Sequence, residues 1–261
     1  IRKTSLTFSD TFTQLTGSTV YLKNEFEQKT GSFKLRGAYY KIKTLSEEER
    51  KNGVVAASAG NHAQGVAFAS ALEKISCTII MPKNASPAKV AATRGYGATV
   101  VLEGKNYDES WTKAQEIAKI TGATIIHAFD DSQIIAAQGV IGLEIIEQLP
   151  DVDEIYVPIG GGGLASGVLT AVKSKNPNVK IIGVQSKSFP SMKNSLDSGN
   201  IETVDGGFTV ADGISVKTPG RQTFEIIKDG IDEIVLVDDD EILKAIFLLM
   251  ERSKSVVEPA G

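Results

Sequence analysis

The sequence predicts an α/β fold in which two open, twisted and mostly parallel sheets are flanked by helices. Three observations lead to this prediction. Short apolar runs alternate with helix-period segments almost throughout the chain, which is typical of parallel sheets whose strands are connected by helices. Several of these runs are apolar at nearly every position, as expected for strands covered on both faces. Two of them end in glycine-rich turns that lead into helices, and such turns are common anion-binding sites.

The individual elements follow from these runs and from the segments between them. The predicted strands are Val20–Lys23, Val54–Ala57, Cys77–Met81, Thr99–Leu102, Thr124–Ala128, Glu154–Pro158, Ile181–Gln185 and Ile234–Val237. The predicted helices include Ala63–Leu72, Asp108–Thr121, Ser132–Leu149 and Leu164–Lys175. Residues 189–221 break the alternation with serine, glycine, aspartate and proline, and predict a long ordered loop.

Strands and helices alternate at shorter spacing in one region of the chain than in the rest, which indicates two domains. Residues 53–130 form a compact series of short βα units and are predicted to be a small domain. Residues 1–52 and 131–261 are predicted to build a larger domain with its own sheet, which we expect to continue beyond Gly261. A chain of 261 residues is long enough for each domain to bury a core.

The composition argues against several classes of protein. With 41% hydrophobic and 23% charged residues, the chain has a globular composition. A net charge of -4 gives no electrostatic indication of a nucleic-acid or membrane partner. No apolar run approaches the roughly 18 residues of a membrane span. The single cysteine, Cys77, lies in an apolar run, which predicts an inert core thiol and a reducing, cytoplasmic location.

The strongest chemical signal is the stretch "VPIGGGGLASG", residues 157–167. An apolar strand runs into four consecutive glycines, Gly160 to Gly163, and a helix-compatible segment follows. Four glycines in series cost backbone entropy and add no packing, so they indicate several N–H groups turned towards one anion. Neither a Gly-Lys-Ser/Thr sequence nor a dinucleotide motif follows. We therefore favour a phosphate-bearing cofactor other than a nucleotide over a flexible surface turn.

A second glycine-rich turn, "ASAGNHAQG", spans residues 57–65 and also leads from a strand into a helix. Ser58, Asn61 and the N–H groups from Ser58 to His62 are predicted to converge at the helix N-terminus, a favourable seat for a carboxylate. Taken alone, Asn61 is an ordinary N-cap candidate. Since both turns follow parallel strands, at whose carboxyl ends α/β proteins bind ligands, we predict that this turn binds a substrate carboxylate.

Lys34 lies in the stretch "TGSFKLRGA", residues 30–38, directly after Phe33. By itself it is most simply a solvated helix lysine. Two anion seats change this interpretation, because one can hold a cofactor phosphate and the other a substrate carboxylate while the lysine joins a carbonyl as an imine. This arrangement is typical of a pyridoxal-phosphate enzyme that acts on an amino acid.

Five motifs in order carry a resemblance to a known family: "KTGSFKLRGA", "SAGNHAQGVA", "VPIGGGGLASG", "TVADGI" and "VEPAG". Over essentially its whole length the chain resembles the fold-type II pyridoxal-phosphate enzymes. It is most similar to the catabolic threonine and serine dehydratases, with serine racemase a near relative. The resemblance implies a tryptophan-synthase-β-like fold and pyridoxal 5'-phosphate as the cofactor. It also implies that residues 1–52 and 131–261 bind the cofactor and that residues 53–130 carry the substrate loop.

The resemblance implies site residues position by position. The implied cofactor contacts are Phe33, Lys34, Asn61, Gly160, Gly161, Gly162, Gly163, Leu164, Gly213 and Glu258. The residues implied to bind the substrate carboxylate are Ser58, Ala59, Gly60, Asn61 and His62. Within these sets Lys34 is similar to the catalytic lysine that carries the cofactor, Phe33 to a residue beside its ring, and Asn61 to the partner of the ring hydroxyl. The partner of the pyridine nitrogen is implied to lie beyond Gly261.

Two departures from the family pattern narrow the implied reaction. Racemases of this group carry a second serine directly after the position of Ser58, and here that residue is Ala59, which cannot carry a proton. They also bind a divalent cation through a glutamate and a nearby carboxylate, and here those positions are Gln185 and Ser191. Because two anionic oxygen ligands are lost, we expect no metal site. Both departures favour elimination over racemisation.

The resemblance therefore implies a threonine ammonia-lyase, which converts L-threonine, and also L-serine, into a 2-oxo acid (2-oxobutanoate or pyruvate) and ammonia. A serine racemase or serine dehydratase on the same scaffold is the alternative. A non-catalytic phosphate or nucleotide sensor that uses only the glycine run is a third interpretation. We expect a homodimer or homotetramer, with a nucleotide effector at a subunit interface.

Overall fold

The computed structural model describes residues 1–261, which form nine strands and eleven α-helices. The strands are β1 Leu6–Phe8, β2 Tyr21–Lys23, β3 Val54–Ala57, β4 Cys77–Met81, β5 Thr99–Leu102, β6 Thr124–Ile125, β7 Glu154–Pro158, β8 Lys180–Ser186 and β9 Glu233–Val237. The helices are α1 Asp10–Thr16, α2 Lys34–Lys43, α3 Glu47–Asn52, α4 Asn61–Glu73, α5 Pro87–Gly95, α6 Tyr107–Thr121, α7 Ser132–Gln148, α8 Gly163–Lys175, α9 Ser191–Ser198, α10 Arg221–Gly230 and α11 Asp239–Arg252. None of the eleven α-helices combines the length and the apolar character of a membrane span.

The chain divides into two compact units. The first unit comprises residues 1–2 and 28–137, and the second comprises residues 3–27 and 138–261. The first unit holds a parallel sheet with the strand order β5-β4-β3-β6, and the second holds a parallel sheet with the order β7-β8-β9 together with the antiparallel pair β1-β2. The predicted fold class, with two mostly parallel sheets flanked by helices, is confirmed.

The central strand β3 explains the layering of the first unit. Val54 and Ala56 belong to one hydrophobic core, which includes Leu35 and Ile42 of α2. Val55 and Ala57 belong to a second core with residues of β4 and α6. Alternate side chains of a strand point to opposite faces, so both faces of β3 are covered and the strand is apolar at every position.

The second unit contains a nearly buried ion pair. Lys23, at the end of β2, contacts Glu144 of α7 at 2.7 Å, with both side chains at most 10% exposed. The same Nζ donates to the Thr4 carbonyl at 2.9 Å and to Gln148 Oε1 at 2.8 Å. These additional hydrogen bonds satisfy the ammonium group, as a buried charge requires, and they join the N-terminal strand pair to α7.

Several element bounds depart from those predicted. The strands β3, β4, β5 and β7 have the predicted bounds, whereas β6 is shorter because it pairs only with Val54 and Val55. The strand β1 was not predicted, since its three residues are mostly exposed and show no apolar run. The predicted loop 189–221 was wrong in part because it contains α9. Helix α9 was missed because it is rich in serine, which is more typical of turns. One of these serines, Ser195, donates its hydroxyl to the Ser191 carbonyl one turn earlier.

The boundaries of the two units also differ from the predicted domains. Residues 28–52 and 131–137, predicted to belong to the larger domain, lie in the first unit with residues 53–130. The reason is packing: Leu35, Ala38 and Ile42 of α2 are fully buried in the core formed with β3 and α4. Lys34 therefore belongs to the same unit as the turn at residues 57–62.

Candidate active site

Lys34 is the first residue of α2, and its amino group is held in place. Its Nζ donates to the Ala128 carbonyl at 2.9 Å and lies 5.2 Å from the centre of the Phe33 ring. The backbone of Lys34 packs closely on α4, because a Cβ at Gly65 would come within 3.2 Å of the Lys34 carbonyl carbon. Lys34 is half-buried, so it differs from the solvated helix lysine that its sequence alone suggests.

Two buried hydroxyl groups precede Lys34. Neither Thr30 Oγ1 nor Ser32 Oγ has a hydrogen-bond partner. Buried polar atoms without a partner are rare in folded proteins, and they indicate a place where a ligand or water supplies the missing bond. The hydroxyls of Thr30 and Ser32 were not among the predicted site residues, because burial without a partner leaves no mark in the sequence.

The turn between β3 and α4 contains the predicted carboxylate seat. Gly60, not Asn61, is the N-cap of α4, and it makes no side-chain capping bond. The capping interpretation of Asn61 was therefore wrong, and Asn61 is the first residue of the helix. Two of the predicted N–H groups are already engaged: that of Ser58 donates to the Ile80 carbonyl at 3.1 Å, and that of Gly60 donates to Ser58 Oγ at 3.2 Å.

The side chain of His62 is bonded within the protein and does not take part in the predicted carboxylate seat. It is buried, with Nε2 2.8 Å from the Ile126 carbonyl oxygen. A carbonyl oxygen only accepts, so Nε2 carries the proton. Burial and, less strongly, the charge of Lys34 lower the pKa of His62 to about 3, which keeps the ring neutral. Only the backbone N–H of His62 is left for the predicted carboxylate seat.

The structure assigns Cys77 to the core. The thiol is buried, and burial raises its pKa to about 11. A thiol with this pKa is protonated at neutral pH and unreactive. The prediction of an inert core cysteine is confirmed.

In the second unit, the glycine run forms the turn between β7 and α8. Gly162 is the N-cap of α8, with φ 97° and no side-chain capping bond. A Cβ at Gly162 would lie 2.8 Å from Met192 Cε and from Thr223 Cβ, and a Cβ at Gly160 would lie 3.1 Å from Ile214 Cα. A side chain at Gly162 would be both strained and crowded, and one at Gly160 would be tightly packed; the N-terminal N–H groups of α8 have no side-chain cap. This geometry fits an anion such as a phosphate.

Thr223 of α10 braces this turn, and sequence reasoning missed it. Its hydroxyl donates to the Gly161 carbonyl at 2.6 Å, and the Gly220 N–H donates to the same carbonyl at 3.3 Å. Because Thr223 is 62 residues away from Gly161 in the chain, no local pattern could have indicated it.

The two remaining predicted cofactor contacts of the second unit lie close together. Gly213 belongs to the short 3-10 helix Asp212–Ile214. A Cβ at Gly213 would come within 2.8 Å of Ala260 Cβ and 3.9 Å of Glu258 Oε1. The structure thus brings the "ADG" and "VEPAG" motifs together, and Gly213 is the residue that permits their close approach.

The residues at the positions of the racemase cation ligands bind other groups. Gln185 is fully buried, and its Oε1 accepts from the Lys193 N–H at 3.1 Å. Ser191 donates its hydroxyl to the Val216 carbonyl at 2.7 Å. Val216 in turn lies beside Gly160, where a Cβ would be 3.1 Å from Val216 Cγ2. Ser191 therefore supports the packing around the glycine turn.

Comparisons with known proteins identify the family of the chain and relatives of similar sequence and fold. A family described as pyridoxal-phosphate dependent enzyme matches residues 1–261. The chain is 54% identical over its full length to an L-threonine ammonia-lyase of Thermotoga maritima, and it spans 65% of the length of that protein. A processed threonine deaminase isoform of Solanum lycopersicum has a similar structure, with a TM-score of 0.96 and 40% identity over 99% of this chain and 76% of its own. A serine racemase of Dictyostelium discoideum follows, with a TM-score of 0.93 and 39% identity over 99% of this chain and 83% of its own.

The chain belongs to the family of pyridoxal-phosphate dependent enzymes. Its cofactor is accordingly pyridoxal phosphate, as the resemblance implied. The residues present fit this group when each unit is taken by itself. In the first unit, the held amine of Lys34 suits its aldehyde; in the second, the uncapped glycine turn suits its phosphate.

Proposed function

We propose that this protein converts L-threonine, and also L-serine, into a 2-oxo acid and ammonia. The observation that carries the proposal is Lys34, whose Nζ is held 2.9 Å from the Ala128 carbonyl at the start of a buried helix. The relatives named threonine ammonia-lyase and threonine deaminase support the same reaction for a chain of this family.

The proposed roles follow from the contacts of each residue. Lys34 binds the aldehyde group of the cofactor, Phe33 lies beside its ring, and Asn61 binds its ring hydroxyl. The phosphate is held by N–H groups of Gly160 to Gly163 and of Leu164, while Gly213 and Glu258 contact the ring. The substrate carboxylate binds to the turn Ser58–His62, where the hydroxyl of Ser58 and backbone N–H groups supply the donors.

The chemistry of the chain's own residues is proton transfer and orientation. When bound, pyridoxal phosphate withdraws electrons from the Cα of an amino acid joined to it. Lys34 Nζ then removes the Cα proton. As the Cβ–O bond breaks, the hydroxyl group takes up one proton and leaves as water, so that the net loss is the proton of Cα and the hydroxyl of Cβ. The resulting enamine takes up water to give the 2-oxo acid and ammonia. While the amine is not joined to the cofactor, the Ala128 carbonyl accepts from it in both of its protonation states and so retains Nζ.

The test is a comparison of two lysine variants. In Lys34→Ala we expect no covalent cofactor, no visible absorbance of bound cofactor, and a loss of 2-oxo acid formation of at least about 1,000-fold. The control is Lys29→Ala, which removes an exposed lysine five positions earlier and should leave both properties unchanged. Turnover of L-threonine by Lys34→Ala at the rate of the control contradicts the proposal.

A racemase or dehydratase specific for serine is the second candidate, favoured by the structural likeness to a serine racemase. Ala59 argues against racemisation, because its methyl group cannot transfer a proton. Chiral analysis of the products from L-serine separates the two: D-serine that accumulates at a rate comparable to that of pyruvate supports the racemase.

We also propose a cytoplasmic homodimer or homotetramer that responds to a nucleotide. The location is supported by the single, buried cysteine, and the assembly by the resemblance to catabolic dehydratases. Sedimentation and 2-oxo acid formation with and without AMP test the assembly and the effector. A monomer with unchanged activity in AMP contradicts both.

A further inference from the structure

Residues 126–130 follow β6 and form hydrogen bonds with both of the two histidines of the chain, His62 and His127. On one side, buried His62 donates from Nε2 to the Ile126 carbonyl at 2.8 Å. On the other, His127 belongs to the segment itself. Between them, the Ala128 carbonyl accepts from Lys34 Nζ. The backbone that holds the lysine is therefore fixed at several points.

The imidazole of His127 closes a tight turn. Its Nδ1 accepts from the N–H of Asp130 at 2.8 Å and from the N–H of Phe129 at 3.2 Å. Two donors on Nδ1 place the ring proton on Nε2. Beside these bonds, the ring makes edge contacts with Trp111 and Phe129, with centroid distances of 5.1 and 4.7 Å.

We propose that His127 is a positioning residue: its Nδ1 fixes the turn at Ala128–Asp130 so that the Ala128 carbonyl holds Lys34 Nζ whenever the amine is not joined to the cofactor. The effect on turnover rests on the proposed function of Lys34. The effect on the position of the Lys34 amine does not depend on that function, because the Ala128 carbonyl contacts the free lysine.

The ring must be neutral to accept two N–H groups, and its surroundings favour this state. Burial lowers the pKa of His127 below its ordinary value, with a further lowering by the charge of Lys34. The carboxylates of Asp130 and Asp131 oppose these effects, but the pKa remains lowered. Nδ1 therefore accepts at neutral pH.

Asp131 shows that a short side chain can take over the role of Nδ1. Four residues later, Asp131 Oδ1 accepts from the N–H groups of Gln133 and Ile134 at 2.9 and 3.1 Å. A short side chain with one oxygen can thus replace Nδ1, as asparagine and aspartate do in many turns. His127→Asn keeps the acceptor and loses the ring, whereas His127→Phe keeps a ring between Trp111 and Phe129 and loses the acceptor.

The experiment compares both variants with the unchanged protein, first without cofactor. Pyridoxal phosphate is added, and the rate of its attachment is followed by visible absorbance, with borohydride fixation and peptide mass analysis to confirm attachment to Lys34. We expect His127→Asn to react within about threefold of the unchanged rate and His127→Phe to react at least about tenfold more slowly, because the amine is misplaced. With L-threonine, kcat should fall in the same variant while KM stays within about twofold.

The opposite order of the two variants overturns the proposal, because it means that ring packing, not the acceptor, is what matters. Equal rates in all three proteins, or an equal loss in both variants, overturn it as well. If His127→Phe does not fold, His127→Gln replaces it, since the longer side chain supplies no acceptor at the position of Nδ1. If the unchanged protein takes up the cofactor on Lys34 but does not convert L-threonine, the proposed function fails while the attachment rates still decide the role of His127.

Discussion

The two glycine turns of the molecule have the same local plan but different surroundings. Each follows a strand of a parallel sheet, and each begins a helix at a glycine N-cap without a side-chain capping bond. In the second-unit turn, side chains surround the glycines so closely that a Cβ on Gly160 or Gly162 meets other atoms within 3.1 Å. In the first-unit turn, a Cβ on Gly60 meets nothing within 4 Å.

The two turns are suited to bind different groups. A turn braced by Thr223 and packed on Ile214 is preorganised, which favours tight and lasting binding of one group. The first-unit turn, with open space around Gly60, leaves room for a group that enters and leaves. The difference supports the proposed division of roles, with the cofactor phosphate at the packed turn and the substrate carboxylate at the open one.

Among variants of the two turns, the largest expected effect is that of Gly162→Ala. The backbone at Gly162 has φ 97°, and the new methyl group would lie 2.8 Å from Thr223 Cβ, so both strain and overlap distort the turn. We expect the dissociation constant of pyridoxal phosphate to rise by about 100-fold. Gly199→Ala is the control, because Gly199 also has positive φ, 77°, but open space around it. Equal cofactor affinity in the two variants contradicts the packed-turn account.

The first unit should carry an acid sensitivity that arises from His62. Its pKa is about 3 in the folded protein and near 6.5 when unfolded, so between these values only the unfolded chain binds the proton. Stability therefore falls as the pH drops through this window, by about 1.4 kcal/mol per pH unit. His62→Gln keeps an amide donor for the Ile126 carbonyl and does not titrate. Urea unfolding at pH 7 and pH 5 should show a smaller loss in this variant, and an identical loss contradicts the assignment.

Thr223→Val should weaken cofactor binding at the second-unit turn while the protein still folds. The variant keeps the shape of the side chain but removes the 2.6 Å hydrogen bond to the Gly161 carbonyl. The lost bond is worth about 1 kcal/mol, so we expect cofactor affinity to fall about fivefold. Thr223→Ser keeps the hydroxyl and serves as the control. Affinity that is unchanged in Thr223→Val shows that the brace has no role in binding.

The smallest effect is expected at the open turn. Ser58→Ala removes the acceptor for the Gly60 N–H and a donor for the substrate carboxylate. We expect KM for L-threonine to rise about threefold, with cofactor affinity unchanged. When cofactor affinity and KM for L-threonine are both measured, Ser58→Ala should change KM, whereas Thr223→Val should change cofactor affinity. A loss of cofactor affinity in Ser58→Ala means that the two turns do not differ in role.

The sequence predicted those parts of the molecule that depend on local patterns. Strand β3 is apolar because both of its faces are buried, and Gly162 stands where the backbone has a positive φ of 97°, so both features left a mark in the sequence. Thr223 and the Ala128 carbonyl act through contacts between distant residues, which no local pattern records. The assignment of α2 to the first unit likewise depends on core packing with α4.

The central claim is that Lys34 carries the cofactor in a threonine-eliminating enzyme. Its most direct test is borohydride reduction of the unchanged protein loaded with pyridoxal phosphate, followed by mass analysis of its peptides. We expect one modified site, Lys34, and a parallel loss of 2-oxobutanoate formation from L-threonine. Modification of another lysine, or activity that survives complete modification of Lys34, would contradict it.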